Sequence, residues 1–86
     1  MAGTPYELTA HASVVIVERG IDPEWIEHTL AEPDRTESDR NDPAHTHALR
    51  RIAACDDRVL RVVYNASVSP PKIVTAYFDQ RQKGKP

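Results

Sequence analysis

One histidine near the N-terminus and several arginines further along carry the side chains best suited to proton transfer and anion binding. The imidazole of His11 can exchange a proton near neutral pH. Arg19, Arg50 and Arg61 carry guanidinium groups, which can hold a phosphate through two parallel hydrogen bonds. Tyr77 could stack on a nucleobase or donate a proton. These residue types predict a site that binds a phosphate and moves a proton.

Each of these side chains also has a structural role open to it. His11 could cap the first helix by packing or hydrogen bonding near Thr9. The arginines could form surface salt bridges with acidic helices, and Tyr77 could pack in the core. A metal site is a further alternative, because His45 and His47 would share one face of a strand. His28 or Asp42 could complete such a site, but no cysteine pair supports it, so we expect no metal and no cofactor.

Length and composition favour one small domain. The chain has 86 residues, of which 40% are hydrophobic, so we assign residues 1–79 to a single domain and 80–86 to a basic, flexible tail. A core of this size would gain from pairing, which makes a homodimer one expectation. The single cysteine excludes an intramolecular disulfide, and no apolar run is long enough for a membrane span. We therefore expect a cytoplasmic protein that does not enter membranes.

Charge is distributed unevenly along the chain. Residues 1–45 carry three basic and ten acidic side chains, whereas residues 46–86 carry eight basic and three acidic ones. A basic half is typical of proteins that bind a polyanion, although the two halves could also simply attract each other. The tail residue Arg81 belongs to this basic half and is a candidate for RNA binding, as are Arg50 and Tyr77.

The first part of the chain predicts two helices. Thr9 is a good N-cap for a helix that reaches Arg19 and stops at Gly20, although the β-branched run at 14–17 favours a strand. Asp22 followed by Pro23 predicts the start of a second helix, which ends before Pro33. A long polar connection follows over residues 33–45, with a short edge strand at 35–38.

The second part predicts a hairpin and a third strand. Residues 49–55 and 58–65 read as strands joined by a two-residue turn at Asp56 and Asp57. With that turn, Ile52 faces Arg61, and Arg50 lies diagonally beside Arg61 on one face, close enough to share an anion. Residues 72–78 are apolar on both faces and predict a central strand. The expected fold is α+β, with two N-terminal helices followed by a small antiparallel sheet of three to four strands.

The segments Leu8-Thr9-Ala10-His11-Ala12 and Arg19-Gly20-Ile21, with the late strand Ile73-Val74-Thr75-Ala76-Tyr77, resemble a bacterial family of small uncharacterised domains. Those domains begin with the pattern T-x-H-A-x-x-R-x-x-x-R-G-I. The family is thought to be related to the RelE and BrnT toxins, which are messenger-RNA endonucleases. Val15 stands where the family pattern has its first arginine.

The resemblance implies a RelE-like fold and a protein that binds or cuts RNA without a metal. Its partners would then be RNA or the ribosome and an antitoxin protein. His11, Arg19 and Arg61 would be the catalytic residues, because such cleavage needs an acid or base and cations on the phosphate. The alternative is a non-catalytic module for protein interaction or dimerisation, which the missing arginine at Val15 favours.

Overall fold

The computed structural model describes residues 6–79, which form two helices packed on one face of a five-stranded sheet. The elements are β1 (Glu7–Leu8), α1 (Ala10–Glu18), α2 (Pro23–Ala31), β2 (Arg35–Ser38), β3 (His45–Ile52), a 3-10 turn (Ala53–Cys55), β4 (Arg58–Asn65) and β5 (Lys72–Asp79). The spatial order of the strands is β1-β5-β4-β3-β2. The predicted α+β class and the two helices are therefore confirmed, although the strand β1 precedes them.

Both helices begin where their capping residues predict. The Thr9 hydroxyl accepts a hydrogen bond from the backbone N–H of Ala12, and an Asp22 carboxylate oxygen accepts one from that of Glu24. Helix α1 ends at Glu18 with Arg19 as its C-cap, and Gly20 follows with φ of 64°, a conformation that favours glycine. The β-branched run of α1 is thus helical, because Val15 and Ile16 are buried on the face toward the sheet.

The sheet differs from the predicted one in strand number and order. It is mixed, because β1 pairs with β5 in parallel, whereas all other neighbours are antiparallel. Strand β5 lies between β1 and β4, so residues 72–78 form an interior strand as predicted, although the middle strand of the five is β4. A two-residue strand such as β1 has no periodicity that a sequence could reveal. The short strand at 35–38 is confirmed as β2.

The main core lies between the helices and one face of the sheet. Its buried residues are Ala12, Ile16, Ile21, Ile26, Ile52, Leu60, Val62, Ile73 and Ala76. Because side chains alternate along a strand, residues between these positions point to the opposite face. We call that opposite surface the outer face of the sheet. No helix within residues 6–79 is long and apolar enough to cross a membrane.

Candidate functional site

Arg61 lies at the centre of the outer face with its side chain almost fully buried. It is on the middle strand β4, between Leu60 and Val62, which both point into the core. The Oδ2 atom of Asp79, also buried, accepts a hydrogen bond from Arg61 Nε at 3.0 Å and lies 2.8 Å from Nη2 in an ion pair. This two-point contact fixes one edge of the guanidinium plane.

The remaining edge of Arg61 contacts one side chain from the adjacent strand β3 and one from β2, the strand beyond it. Arg61 Nη1 donates to Glu37 Oε1 at 3.2 Å and to His47 Nδ1 at 2.7 Å. Glu37 and His47 face each other across β2 and β3 in the strand register. Burial lowers the pKa of Arg61, but the hydrogen bonds to Asp79 and Glu37 outweigh it and raise that pKa above its ordinary value. Arg61 is therefore a fixed cation.

The contacts of His47 determine which ring nitrogen carries its proton. A guanidinium can only donate, so Nδ1 of His47 must accept from Arg61. The other nitrogen, Nε2, then carries the proton and donates to Asp39 Oδ1 at 2.8 Å. A second proton on Nδ1 would point at the Arg61 donor, so this arrangement requires a neutral imidazole.

Asp39 links His47 to the turn that follows β2. Its second oxygen, Oδ2, accepts from the backbone N–H groups of Asn41 at 2.9 Å and Asp42 at 3.0 Å. The hydrogen bond from His47, followed by the one from the Asn41 amide, lowers the pKa of Asp39 below its ordinary value. One carboxylate thus holds both the imidazole and the turn in place.

These side chains border a cleft of about 530 Å³. Its wall is formed by Glu37, Ser38, Asp39, Arg40, Asn41, His47, Arg61 and Tyr77. Tyr77 is the register partner of Arg61 on β5, which explains why the two line the same cleft. The cleft therefore combines two guanidinium groups, an imidazole, a phenol and two carboxylates, which are groups able to bind an anion and to transfer protons.

Of the predicted site residues within 6–79, only Arg61 and Tyr77 line this cleft. His11 is exposed on α1, in the helical layer on the other side of the sheet. Arg19 donates from Nη1 to the backbone oxygen of Ala76 at 2.8 Å. Arg81 lies outside the described residues. His11, Arg19, Arg50 and Arg61 therefore do not converge on one surface.

The expectation that Arg50 lies beside Arg61 on one face is wrong, because the register of the hairpin differs from the predicted one. Ile52 pairs with Arg58 and not with Arg61, and Leu49 is the residue opposite Arg61. This is a shift of three residues, and any odd shift exchanges the two faces of a strand. Arg50 accordingly points to the helical side, where it donates to the backbone oxygen of Glu32.

Four residues of the site were not singled out for acid–base or phosphate chemistry in the sequence, namely Glu37, Asp39, His47 and Asp79. The spacing of His45 and His47 indicates a metal site as an alternative, and it gives no sign of the hydrogen bonds that His47 makes here. Within residues 6–79, no group of three or more histidine, cysteine, aspartate or glutamate side chains is arranged to hold a metal ion. The available sequence signal is the predicted short strand at 35–38, which contains Glu37, but the sequence does not show which strand it pairs with.

Comparison with protein-family models places the chain in one family. The model described as "Domain of unknown function (DUF4258)" matches residues 8–78, so the chain belongs to that family of uncharacterised small domains. A search of curated proteins and a search of solved structures return no significant match. The matched range includes every residue that lines the cleft, whereas Asp79, which binds Arg61 from behind, lies one residue beyond it.

Proposed function

We propose that this DUF4258 protein binds single-stranded RNA in the Arg61 cleft and cleaves it without a metal ion, as a toxin-like protein related to RelE and BrnT. The observation that carries the proposal is the outer edge of Arg61. It opens into a cleft that also holds an imidazole, a phenol and carboxylates. The sequence resemblance to the toxin-related domains and the basic second half of the chain agree with it.

Arg61 is the group that would bind the phosphodiester. Asp79 binds its Nε and Nη2 atoms. The Nη1 atom faces the cleft, because it contacts Glu37 and His47, which both line it. A guanidinium held rigidly from behind loses little freedom when an anion binds in front, which favours binding and stabilises charge in a transition state. Arg40, on the exposed turn that lines the cleft, adds a second positive charge near the same place.

Tyr77 and the polar turn would bind the nucleoside. Aromatic side chains on a sheet commonly stack on unpaired bases, and Tyr77 is half-buried in the cleft wall beside Arg61. Its hydroxyl could alternatively donate a proton to the leaving oxygen. The side chain of Asn41 lines the same cleft and offers both a donor and an acceptor to a base edge.

The test compares wild-type protein with variants that remove the cation but keep the fold. Arg61→Met combined with Asp79→Leu replaces the buried ion pair by apolar groups of similar size. We expect wild-type protein to bind an RNA oligonucleotide with an affinity that falls as salt rises, and the double variant to bind at least tenfold more weakly. Expression of wild-type protein should arrest growth and that of the double variant should not.

The matched control is Arg19→Met, which removes a cation from the other side of the protein. Its RNA binding should stay within about twofold of wild type, because the Arg19 guanidinium donates to the Ala76 carbonyl and does not line the cleft. Equal RNA binding by wild type and the Arg61–Asp79 double variant would contradict the proposal. So would a complete lack of RNA binding at low salt.

A second candidate is the non-catalytic interaction module. Val14 and Val17 on the outside of α1 are 55% and 79% exposed. They are spaced three residues apart and so lie on one side of the helix, where they could contact a second copy or an antitoxin. The carboxylates bound to Arg61 also suit this candidate, because they already balance its charge. Dissociation of a dimer or complex by Val17→Glu, measured by light scattering, would favour it.

A further inference from the structure

We propose that Glu37 occupies the phosphate position of the cleft in the free protein and, once displaced by RNA, acts as the base that removes the 2′-hydroxyl proton. This inference rests on the proposed function and assigns its key acid–base residue. It starts from the only carboxylate contact on the cleft side of Arg61 among the described residues, the 3.2 Å hydrogen bond from Nη1 to Glu37 Oε1.

The two carboxylates that bind Arg61 differ in how easily they can leave. The Asp79 side chain is only 3% exposed and makes two contacts with Arg61. The Glu37 side chain is 41% exposed and makes one longer contact with it. An exposed ion pair contributes little free energy, whereas a buried one is costly to break. An incoming phosphate oxygen would therefore replace Glu37 and leave Asp79 in place.

Glu37 has a second cation that would hold it close to the cleft after displacement. Its other oxygen, Oε2, lies 2.9 Å from Nη2 of Arg35, on the same strand. Arg35 and Glu37 are two residues apart in β2, so their side chains are on the same face. The carboxylate would thus move by a small rotation and remain beside the phosphate that displaced it.

From that position, Glu37 can complete a balanced cleavage reaction. Its carboxylate takes the proton of the 2′-hydroxyl, and the 2′-oxygen forms a bond to phosphorus while the bond from phosphorus to the 5′-oxygen breaks. The leaving 5′-oxygen receives a proton from the Tyr77 hydroxyl. The products are a 2′,3′-cyclic phosphate and a 5′-hydroxyl, and proton transfer from Glu37 to Tyr77 through water restores the site.

His47 has a positioning role in this scheme. Its Nδ1 already accepts from Arg61 and its Nε2 donates to Asp39, so neither nitrogen is open to substrate. One hydrogen of Arg61 Nη1 stays on His47, and the other becomes available when Glu37 leaves. The imidazole therefore holds the guanidinium in an orientation in which one N–H of Nη1 can change its acceptor from Glu37 to a phosphate oxygen.

The test measures RNA binding and RNA cleavage separately for the Glu37→Gln variant. An RNA oligonucleotide with 2′-O-methyl groups cannot be cleaved and reports binding alone, whereas the same sequence with free 2′-hydroxyls reports cleavage. We expect Glu37→Gln to bind the methylated oligonucleotide about fivefold more tightly, since the competing charge is gone. We expect it to cleave the unmodified RNA at least about 100-fold more slowly, with loss of the acidic limb of the pH–rate profile.

The matched control is Glu18→Gln, which removes the same charge from the exposed surface of α1. It should change neither binding nor cleavage by more than about twofold. Weaker or unchanged binding by Glu37→Gln would overturn the displacement, and an unchanged cleavage rate would overturn the role as base. In both cases wild-type activity would leave the proposed function intact. Absence of binding and cleavage in wild type and variant alike would instead refute the proposed function itself.

Discussion

The ion pair between Arg61 and Asp79 should be a main determinant of folding stability, which Asp79→Ala tests directly. The two side chains are 6% and 3% exposed and are joined by a hydrogen bond from Nε and an ion-pair contact from Nη2. Removing one partner of a buried ion pair leaves the other charge in a poorly hydrated place, which typically costs about 3–5 kcal/mol. Because Glu37 still contacts Arg61, we expect Asp79→Ala to lower the free energy of unfolding by about 3 kcal/mol.

That loss is large for a domain of this size. At roughly 0.05–0.15 kcal/mol per residue, a chain of 86 residues has a total stability of about 4–13 kcal/mol. A loss of about 3 kcal/mol corresponds to a fall in Tm of roughly 12–24 °C for domains of this length. Urea denaturation followed by circular dichroism would measure the free energy, and a thermal scan would measure Tm.

A double-mutant cycle distinguishes the charge pairing from simple loss of packing. Arg61→Met and Asp79→Leu together leave no unpaired charge, so the double variant should lie within about 1 kcal/mol of wild type. The control is Arg35→Met, whose ion pair with Glu37 is 41% exposed on both sides and should contribute below about 1 kcal/mol. A cost below about 1 kcal/mol for Asp79→Ala would refute the reasoning, as would a double variant as unstable as the sum of the singles.

Three further outcomes follow from other contacts. The lowered pKa of Asp39 means that its stabilising bonds are fully present above about pH 4 and are lost as the pH falls through that lowered pKa. NMR of the Asn41 amide should follow this loss, and Asp39→Asn should remove the pH dependence. Thr9→Ala should cost about 1 kcal/mol in urea denaturation, because it removes the N-cap, whereas Thr9→Ser should cost less. Leu60→Ala should cost about 2–5 kcal/mol in the same assay, because Leu60 is fully buried in the core.

Local sequence signals predicted those parts of the fold that depend on neighbouring residues. Asp22 and Pro23 define the start of α2, since both act on the backbone of the next turn. The strand from Arg58 to Asn65 was predicted with its observed bounds, and its alternation of core and outer positions is also observed. These features need no information about which distant segments pair.

Register was the part that local signals could not determine. The hairpin connection contains a 3-10 turn at Ala53–Cys55 before Asp56 and Asp57, both of which have positive φ values. Neither Ala53 nor its neighbours carry a signal that separates the end of a strand from a helical turn. Adding these residues to the connection shifted the pairing by three positions and moved Arg50 to the helical side.

The site was hidden for the same reason, because its members come from separate strands. Asp79 and Arg61 are 18 residues apart, and Glu37 and Arg61 are 24 apart. Their meeting depends on the pairing of β2 with β3 and of β4 with β5, not on any motif along the chain. The sequence can place His11 at a helix start, because that start depends on neighbouring residues. It cannot show which carboxylates surround Arg61, because those residues are distant along the chain.

The arrangement of this network explains how one cluster of charges can serve both folding and ligand exchange. Side-chain exposure increases along it, from 3% at Asp79 and 6% at Arg61 to 16% at His47 and 41% at Glu37. Water competes more strongly for the exposed contacts, so the stabilising free energy of each contact decreases from Asp79 toward Glu37. The inner pair should therefore persist until the domain unfolds, whereas the outer contact can be exchanged without unfolding. A variant of Glu37 should accordingly change anion binding with little effect on Tm, and a variant of Asp79 should change Tm first.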